Sequence, residues 1–487
     1  MRRIVCVSNR ISIPRRLGSA GGLAVGVLSA LGRTGGLWFG WSGEVSETPP
    51  AAPQLFRRDN IRFATIDLRP SEFARYYNGY CNSTLWPLFH YAAGRFRYDH
   101  EEYEAYLAVN AQFARQLAPL LRPGDVVWVH DYHLVPLGRC LREQGFAGPI
   151  GYFLHIPFPT LQVLRVLPSY LELIRDLCAY DLVGFQTSDD LQSFESCLPA
   201  GAAPPARTAE DGAAPPEAPR PPRVGVYPIG IDVEQVTREA RAAISEEPVQ
   251  RLIESLLGRQ LIIGVDRLDY SKGLRERFEA FEHFLTSFPE SQGRVTFLQI
   301  APLSRENVLA YEEIRKALEQ TAGRLNGRFA EADWTPVRYL NRNFSHATLM
   351  GFLRAAQVGL VTPVRDGMNL VAKEFVAAQN PDDPGVLVLS PLAGAARELS
   401  GAVLVNPYDK RRVALALRQA LRMPLAERQQ RHAAMLAGLR SHDIHEWCAA
   451  FLRDLTGEPL AATDPSSTRH SARCRTSRAR AASPGAC

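Results

Sequence analysis

The 487-residue sequence predicts an α/β protein with two parallel sheets, and three observations lead there. Short β-branched runs alternate with amphipathic stretches along most of the chain. The runs are apolar throughout rather than alternating, as strands covered on both faces are. They also fall into two series, in a chain too long for one ordinary core. Together these give two Rossmann-like domains.

The first series is RRIVCVS, DVVWVHD, IGYFLH, DLVGFQ and RVGVYPI. The second is QLIIGVD, RVTFLQI, VGLVTP, GVLVLS and AVLVN. Between them, helical patterns span Tyr103–Leu121, Leu161–Ala179, Glu276–Phe288 and Arg305–Ala322. The domains are expected at 1–235 and 236–440, with an Ala/Pro-rich flexible loop at 200–223. The tail from 461 is low-complexity and basic, and reads as disordered.

Composition narrows the function classes. Hydrophobic residues make up 46% and charged residues 22%, as in a soluble globular protein. The net charge of +5 resides in the tail, where Arg469, Arg473, Arg475, Arg478 and Arg480 stand without an acid after Pro465. The folded part is balanced, so charge gives no reason to expect nucleic acid or membrane partners. The first apolar run, IVCV, is too short for a signal peptide, and no segment has the length to span a bilayer. Eight cysteines without CxxC pairing read as reduced thiols, and the expected location is the cytoplasm.

The candidate chemistry sits just after the strands, where open parallel sheets bind ligands. VTPVRDGMNLVAKE breaks at Arg365-Asp366-Gly367 and enters a helix from about Asn369. Such a turn offers free amides and the positive end of a helix dipole to a diphosphate. Asp366 and Glu374 bracket it as acids for hydroxyls, which suggests a sugar nucleotide. Other strand ends carry Arg10, Asp131, His155, Arg267, Lys272 and Arg305. Four cations at such positions fit a diphosphate plus a second anion. GxGxxG and GxxxxGK[ST] are both missing, which argues against dehydrogenase and P-loop chemistry. HDYH has no further ligand at zinc spacing and Asp-x-Asp is absent, so no metal and no cofactor is expected. The leaving diphosphate would then be neutralised by Arg267, Lys272 and helix-terminal amides.

Ten collinear motifs resemble the trehalose-6-phosphate synthase family: SNR, AGGLAVG, GLWFGWSGE, YYNGYCNSTLWPLFHY, VHDYHLVP, FLHIPFP, GVDRLDYSKGL, QIAPLSR, LVTPVRDGMNLVAKE and VNPYD. The resemblance implies the two-domain GT-B fold and retaining transfer of glucose from a nucleoside-diphosphate glucose to glucose 6-phosphate. By family match, Arg10 and Arg305 bind the acceptor phosphate, with Tyr77 and Trp86 shaping that pocket and Asp131 on the acceptor sugar. Gly22, Leu23 and their glycine loop cover the donor diphosphate, which Arg267 and Lys272 neutralise. His155 and Asp366 meet the donor glucose, the Met368-Asn369-Leu370 backbone approaches glucose and phosphate, Glu374 takes the ribose, and Phe344 frames the base. The family also implies that 441–456 forms a helix returning to the first domain, that the protein is a homo-oligomer, and that a separate phosphatase consumes the product. UDP is the default carrier, with GDP and ADP left open by the sequence. Two alternatives are a relative that keeps the donor site but takes another acceptor, and a non-catalytic sugar-phosphate sensor that should have lost a donor residue. The retained Arg10, Arg305 and Trp86 argue against the first, and the intact Lys272 and Glu374 against the second.

Overall fold

The computed structural model describes residues 2–11, 27–28, 31–32, 35–201, 221–303 and 309–457. The first sheet contains β1 (Ile4–Arg10), β2 (Gly36–Val45), β3 (Gln54–Arg58), β4 (Ile61–Leu68), β5 (Val126–His130), β6 (Ile150–Phe153), β7 (Leu182–Phe185) and β8 (Arg223–Val226). Their order is β3-β4-β2-β1-β5-β6-β7-β8. The second contains β9 (Gln260–Val265), β10 (Val295–Ile300), β11 (Val337–Leu340), β12 (Val358–Val361), β13 (Val386–Leu389) and β14 (Val403–Leu404), in the order β11-β10-β9-β12-β13-β14. All pairings are parallel except the edge pair β3 and β4. Each sheet is centred on buried Val, Ile, Leu and Phe, as strands covered on both faces require.

Every predicted strand is present, and four more exist. β2 was hidden by its own composition, because the glycines in GLWFGWSGEV read as turns. β3 is exposed along its length and lacks any apolar signature of a core strand. β4 breaks its apolar run with Arg62, and β11 is only four residues long. The predicted stretch Leu161–Ala179 is two helices, Leu161–Leu164 and Tyr170–Leu177, and Pro168 lies in the break. Proline has no amide hydrogen for the preceding turn, so the helix cannot run through. The stretch predicted at Tyr103–Leu121 begins earlier, at His100, because the Asp99 side chain accepts from the Glu102 amide and caps the helix.

The chain crosses between the sheets at two adjacent places. Going out, it passes from β8 through Gly230 into the helix Val233–Ala243. Coming back, it passes His442 and Asp443 into the helix Ile444–Thr456. A side-chain carbon at Gly230 would lie 2.3 Å from the Asp443 carbonyl carbon, so only glycine lets the crossings touch. The Ile444 amide donates to the Ile231 carbonyl at 3.2 Å, tying one crossing to the other. The final helix packs on the first sheet. Trp447 and Phe451 lie 4.9 and 4.8 Å from the Trp128 ring of β5, and both are buried. Burying such side chains stabilises by about 2–3 kcal/mol each, enough to hold this helix on a sheet that ended some 200 residues earlier.

Candidate active site

The carboxyl ends of the two sheets face each other across a narrow cleft. From the first sheet, β1 delivers Asn9 and Arg10, β5 delivers His130 and Asp131, and the chain after β6 delivers His155. From the second, the segment after β9 carries Arg267 and Lys272, and the turn after β12 carries Asp366 to Asn369. The sides are in contact. A side-chain carbon at Gly367 would lie 2.2 Å from the His155 carbonyl oxygen, so this turn can press against the opposite domain only as glycine. Three arginines bridge the cleft over aromatic faces. Arg267 lies 5.9 Å from the Trp86 ring centre, Arg365 4.2 Å from Tyr91 and Arg95 5.0 Å from Tyr270.

On the second side, Lys272 Nζ lies 2.5 Å from Asp366 Oδ2, with the two side chains only 11% and 13% exposed. Asn369 Nδ2 donates to the same oxygen at 3.0 Å. Asn369 also caps the helix Leu370–Ala378 by accepting from the Ala372 amide, with its backbone at φ 76°. The Met368 carbonyl accepts from the Ala395 amide at 2.9 Å, which fixes the turn leading into that helix. Leu370 and Glu374 line one small cavity with His346, and Phe344 is half-buried against Phe352 with Arg342 over its ring.

On the first side, Asp131 is held at φ 76°, a conformation costing about 1–3 kcal/mol for a residue with a side chain. Its amide donates to the Phe153 carbonyl at 2.8 Å, and its Oδ1 accepts from the His155 amide at 3.3 Å. His130 Nδ1 and His155 Nε2 are 3.2 Å apart, so each ring fixes the other's rotation. Burial pushes His155 down to about 3 and His130 well below its usual range, so both are neutral imidazoles. Trp86 is buried against His90 at 4.1 Å, and burial lowers His90 to about 4. Tyr77 stacks on His133 at 5.8 Å, and Arg10 lies 5.6 Å from the Trp41 ring. The two outer histidines of HDYH therefore face different neighbours. Among the described residues no cluster of His, Cys, Asp or Glu could hold a metal, and no helix is long and apolar enough to cross a membrane.

The structure thus brings Arg10, Tyr77, Trp86, Asp131 and His155 to one side of the cleft. Arg267, Lys272, Phe344, Asp366, Met368, Asn369, Leu370 and Glu374 are on the other. Gly22, Leu23 and Arg305 lie outside the described residues. Sequence reasoning missed Arg277, whose buried guanidinium donates to Asp266, Gln299 and Thr362 at 2.7, 2.8 and 3.1 Å and to the Lys272 carbonyl at 3.2 Å. The one available signal was Gly264 inside an otherwise bulky strand, which marks a close approach.

The model of glycosyltransferase family 20 matches residues 11–457. The chain belongs to glycosyltransferase family 20. Among its relatives, the trehalose-6-phosphate synthase of Klebsiella pneumoniae is 49% identical over 457 residues, which are 93% of this chain and 95% of that protein. The α,α-trehalose-phosphate synthase (UDP-forming) from Burkholderia vietnamiensis superimposes with a TM-score of 0.89 at 52% identity, covering 94% of this chain and 99% of that one. The Burkholderia xenovorans enzyme, solved in complex with glucose-6-phosphate, gives 0.87 at 49% identity, over 93% of this chain and 100% of that one. The two-sheet architecture is the GT-B arrangement of those trehalose-phosphate synthase structures.

Proposed function

We propose that the chain transfers glucose, with retained configuration, from UDP-glucose to glucose 6-phosphate, giving α,α-trehalose 6-phosphate and UDP. One observation carries the reading. The Lys272–Asp366 pair at a helix start faces Asp131 and His155 across a single cleft, in a chain that matches a trehalose-6-phosphate synthase over 93% of its length. In this reading residues 1–235 and the helix from 441 hold the acceptor, and 236–440 hold the donor. Arg10 and Arg305 bind the acceptor phosphate beside Tyr77 and Trp86, and Asp131 binds the acceptor sugar. His155 and Asp366 orient the donor glucose, Glu374 takes the ribose, and Phe344 borders the base. Gly22 and Leu23 cover the diphosphate.

The bond from glucose C1 to the diphosphate oxygen breaks as the acceptor's anomeric hydroxyl bonds to C1 on the same face. The hydroxyl proton passes to the leaving phosphate oxygen. In this reading Asp366 orients the donor rather than attacking it, its Oδ2 held by Lys272 and Asn369. Catalysis rests instead on Arg267, Lys272 and the amides before the helix Leu370–Ala378, which meet charge as it develops. Closure of the cleft keeps water from the activated sugar.

The test is nucleoside-diphosphate release from UDP-, GDP- and ADP-glucose, with and without glucose 6-phosphate, with the sugar product identified. UDP release that depends on glucose 6-phosphate and yields α,α-trehalose 6-phosphate is expected. Donor binding without turnover overturns the proposal in favour of another acceptor or a sensor.

A further inference from the structure

The ribose end of the donor site contains a histidine that the proposed chemistry leaves unused. His346 is the first residue of the helix His346–Ala355, whose preceding Ser345 accepts from the Thr348 amide. Its Nδ1 lies 2.6 Å from Glu239 Oε2, on the helix Val233–Ala243. Its Nε2 lies 3.6 Å from Glu374 Oε1, on the helix Leu370–Ala378. One imidazole therefore joins carboxylates from two other helices, and all three side chains are largely shielded from solvent.

Two features distinguish this from a casual surface pair. A cation at a helix start opposes the helix dipole, so an imidazolium there needs compensation, and the two acids supply it. The two contacts also differ in kind. The short contact to Glu239 sets the ring's rotation, whereas 3.6 Å to Glu374 is an ion contact too long for a direct hydrogen bond. Glu374 is thereby held by charge while its oxygens keep their capacity to accept from hydroxyl groups. The other charged groups around the trio are Arg238, which acts on Glu239, and Asp232, which lines the same small cavity and sits 4.0 Å from His445.

Resting on the assignment of Glu374 to the donor ribose, we propose that His346 is a positioning residue for nucleotide recognition. Anchored by Glu239, it keeps Glu374 aimed at the ribose hydroxyls. Although burial opposes its charge, the two carboxylates raise the imidazole to about 10, so it stays cationic across the working pH range.

The experiment compares wild type, His346→Asn, His346→Arg and Glu374→Gln on UDP-glucose and on its 2′,3′-dideoxyuridine analogue, which lacks both ribose hydroxyls. With UDP-glucose, His346→Asn should raise donor KM about 10-fold with kcat within about twofold, the pattern of lost ground-state binding. With the deoxy donor the same substitution should change KM less than about twofold, because the contact it supports is already missing. His346→Arg, which restores a cation, should recover most of the loss on UDP-glucose. Equal penalties on both donors, or an unchanged KM on UDP-glucose, would overturn the proposal and leave His346 a packing residue. Glu374→Gln separates the two levels. If it raises donor KM while His346→Asn does not, only the role of His346 fails. If it leaves donor KM unchanged, the ribose assignment fails and the proposal with it.

Discussion

The contact between Lys272 and Asp366 sets the clearest expectation for a single side chain. Lys272 is nearly buried and paired with a carboxylate, so its side chain is positioned before substrate arrives. Lys272→Ala should lower kcat by about 10²–10³ with a much smaller change in acceptor KM, since leaving-group charge develops only in the transition state. An unchanged kcat would remove Lys272 from the reaction. The histidines give opposite pH signatures. His130, His155 and His90 have folded values below the ordinary 6.5, the latter two at about 3 and 4. The unfolded chain then binds more protons than the folded one, so stability present above pH ~6.5 is lost as pH falls toward these lower values. His346 is raised to about 10 and behaves in reverse. Its stabilisation is complete below pH ~6.5 and disappears as pH rises through about 10. Urea unfolding of wild type against His346→Asn should therefore show a larger stability gap at pH 6 than at the alkaline end.

Strand β9 shows how a structural element can carry site geometry that no motif announces. A side-chain carbon at Gly264 would lie 2.5 Å from Gln299 Oε1 and 2.7 Å from Arg277 Nη1. The vacancy in the strand is thus filled by the guanidinium that ties β9, β10 and β12 together below Lys272. Gly264→Ala should destabilise the protein by about 1–3 kcal/mol through overpacking, measured by chemical denaturation, and should also reduce kcat by shifting Lys272. Full stability with full activity would show that the network tolerates displacement. The legibility of the elements follows the same logic. Strands such as β5 and β13 are apolar throughout because both faces are covered, so their sequences declare them. β2 and β3 were silent, one because its glycines mimic turns and the other because an exposed edge needs no apolar face. The strand-end residues were readable because charge has no packing reason to sit there. Arg277 and His346 were not, since each lies on a helix and acquires its role only through partners distant in sequence.

Taken as one body, the molecule spans its cleft with three arginine–aromatic contacts among the described residues. Arg365 adjoins Asp366, and its guanidinium lies on Tyr91, itself held at φ 58°. Removing this clasp with Tyr91→Ala should leave the fold intact but admit water, so donor hydrolysis without acceptor should rise relative to transfer. A constant ratio of hydrolysis to transfer would mean that other contacts hold the cleft shut. The adjacency of the two crossings at Gly230 and Asp443 gives this closure a short pivot, with Lys373 Nζ donating to the Ile229 carbonyl beside it at 2.8 Å. The returning helix has a further consequence, which concerns the order in which the protein is made. Its Trp447 and Phe451 complete the packing over Trp128, yet they leave the ribosome long after β8. At ~5–20 residues per second, the first sheet waits ~10–40 s with the part of its face around Trp128 uncovered. The half that is translated first is therefore the last to be finished.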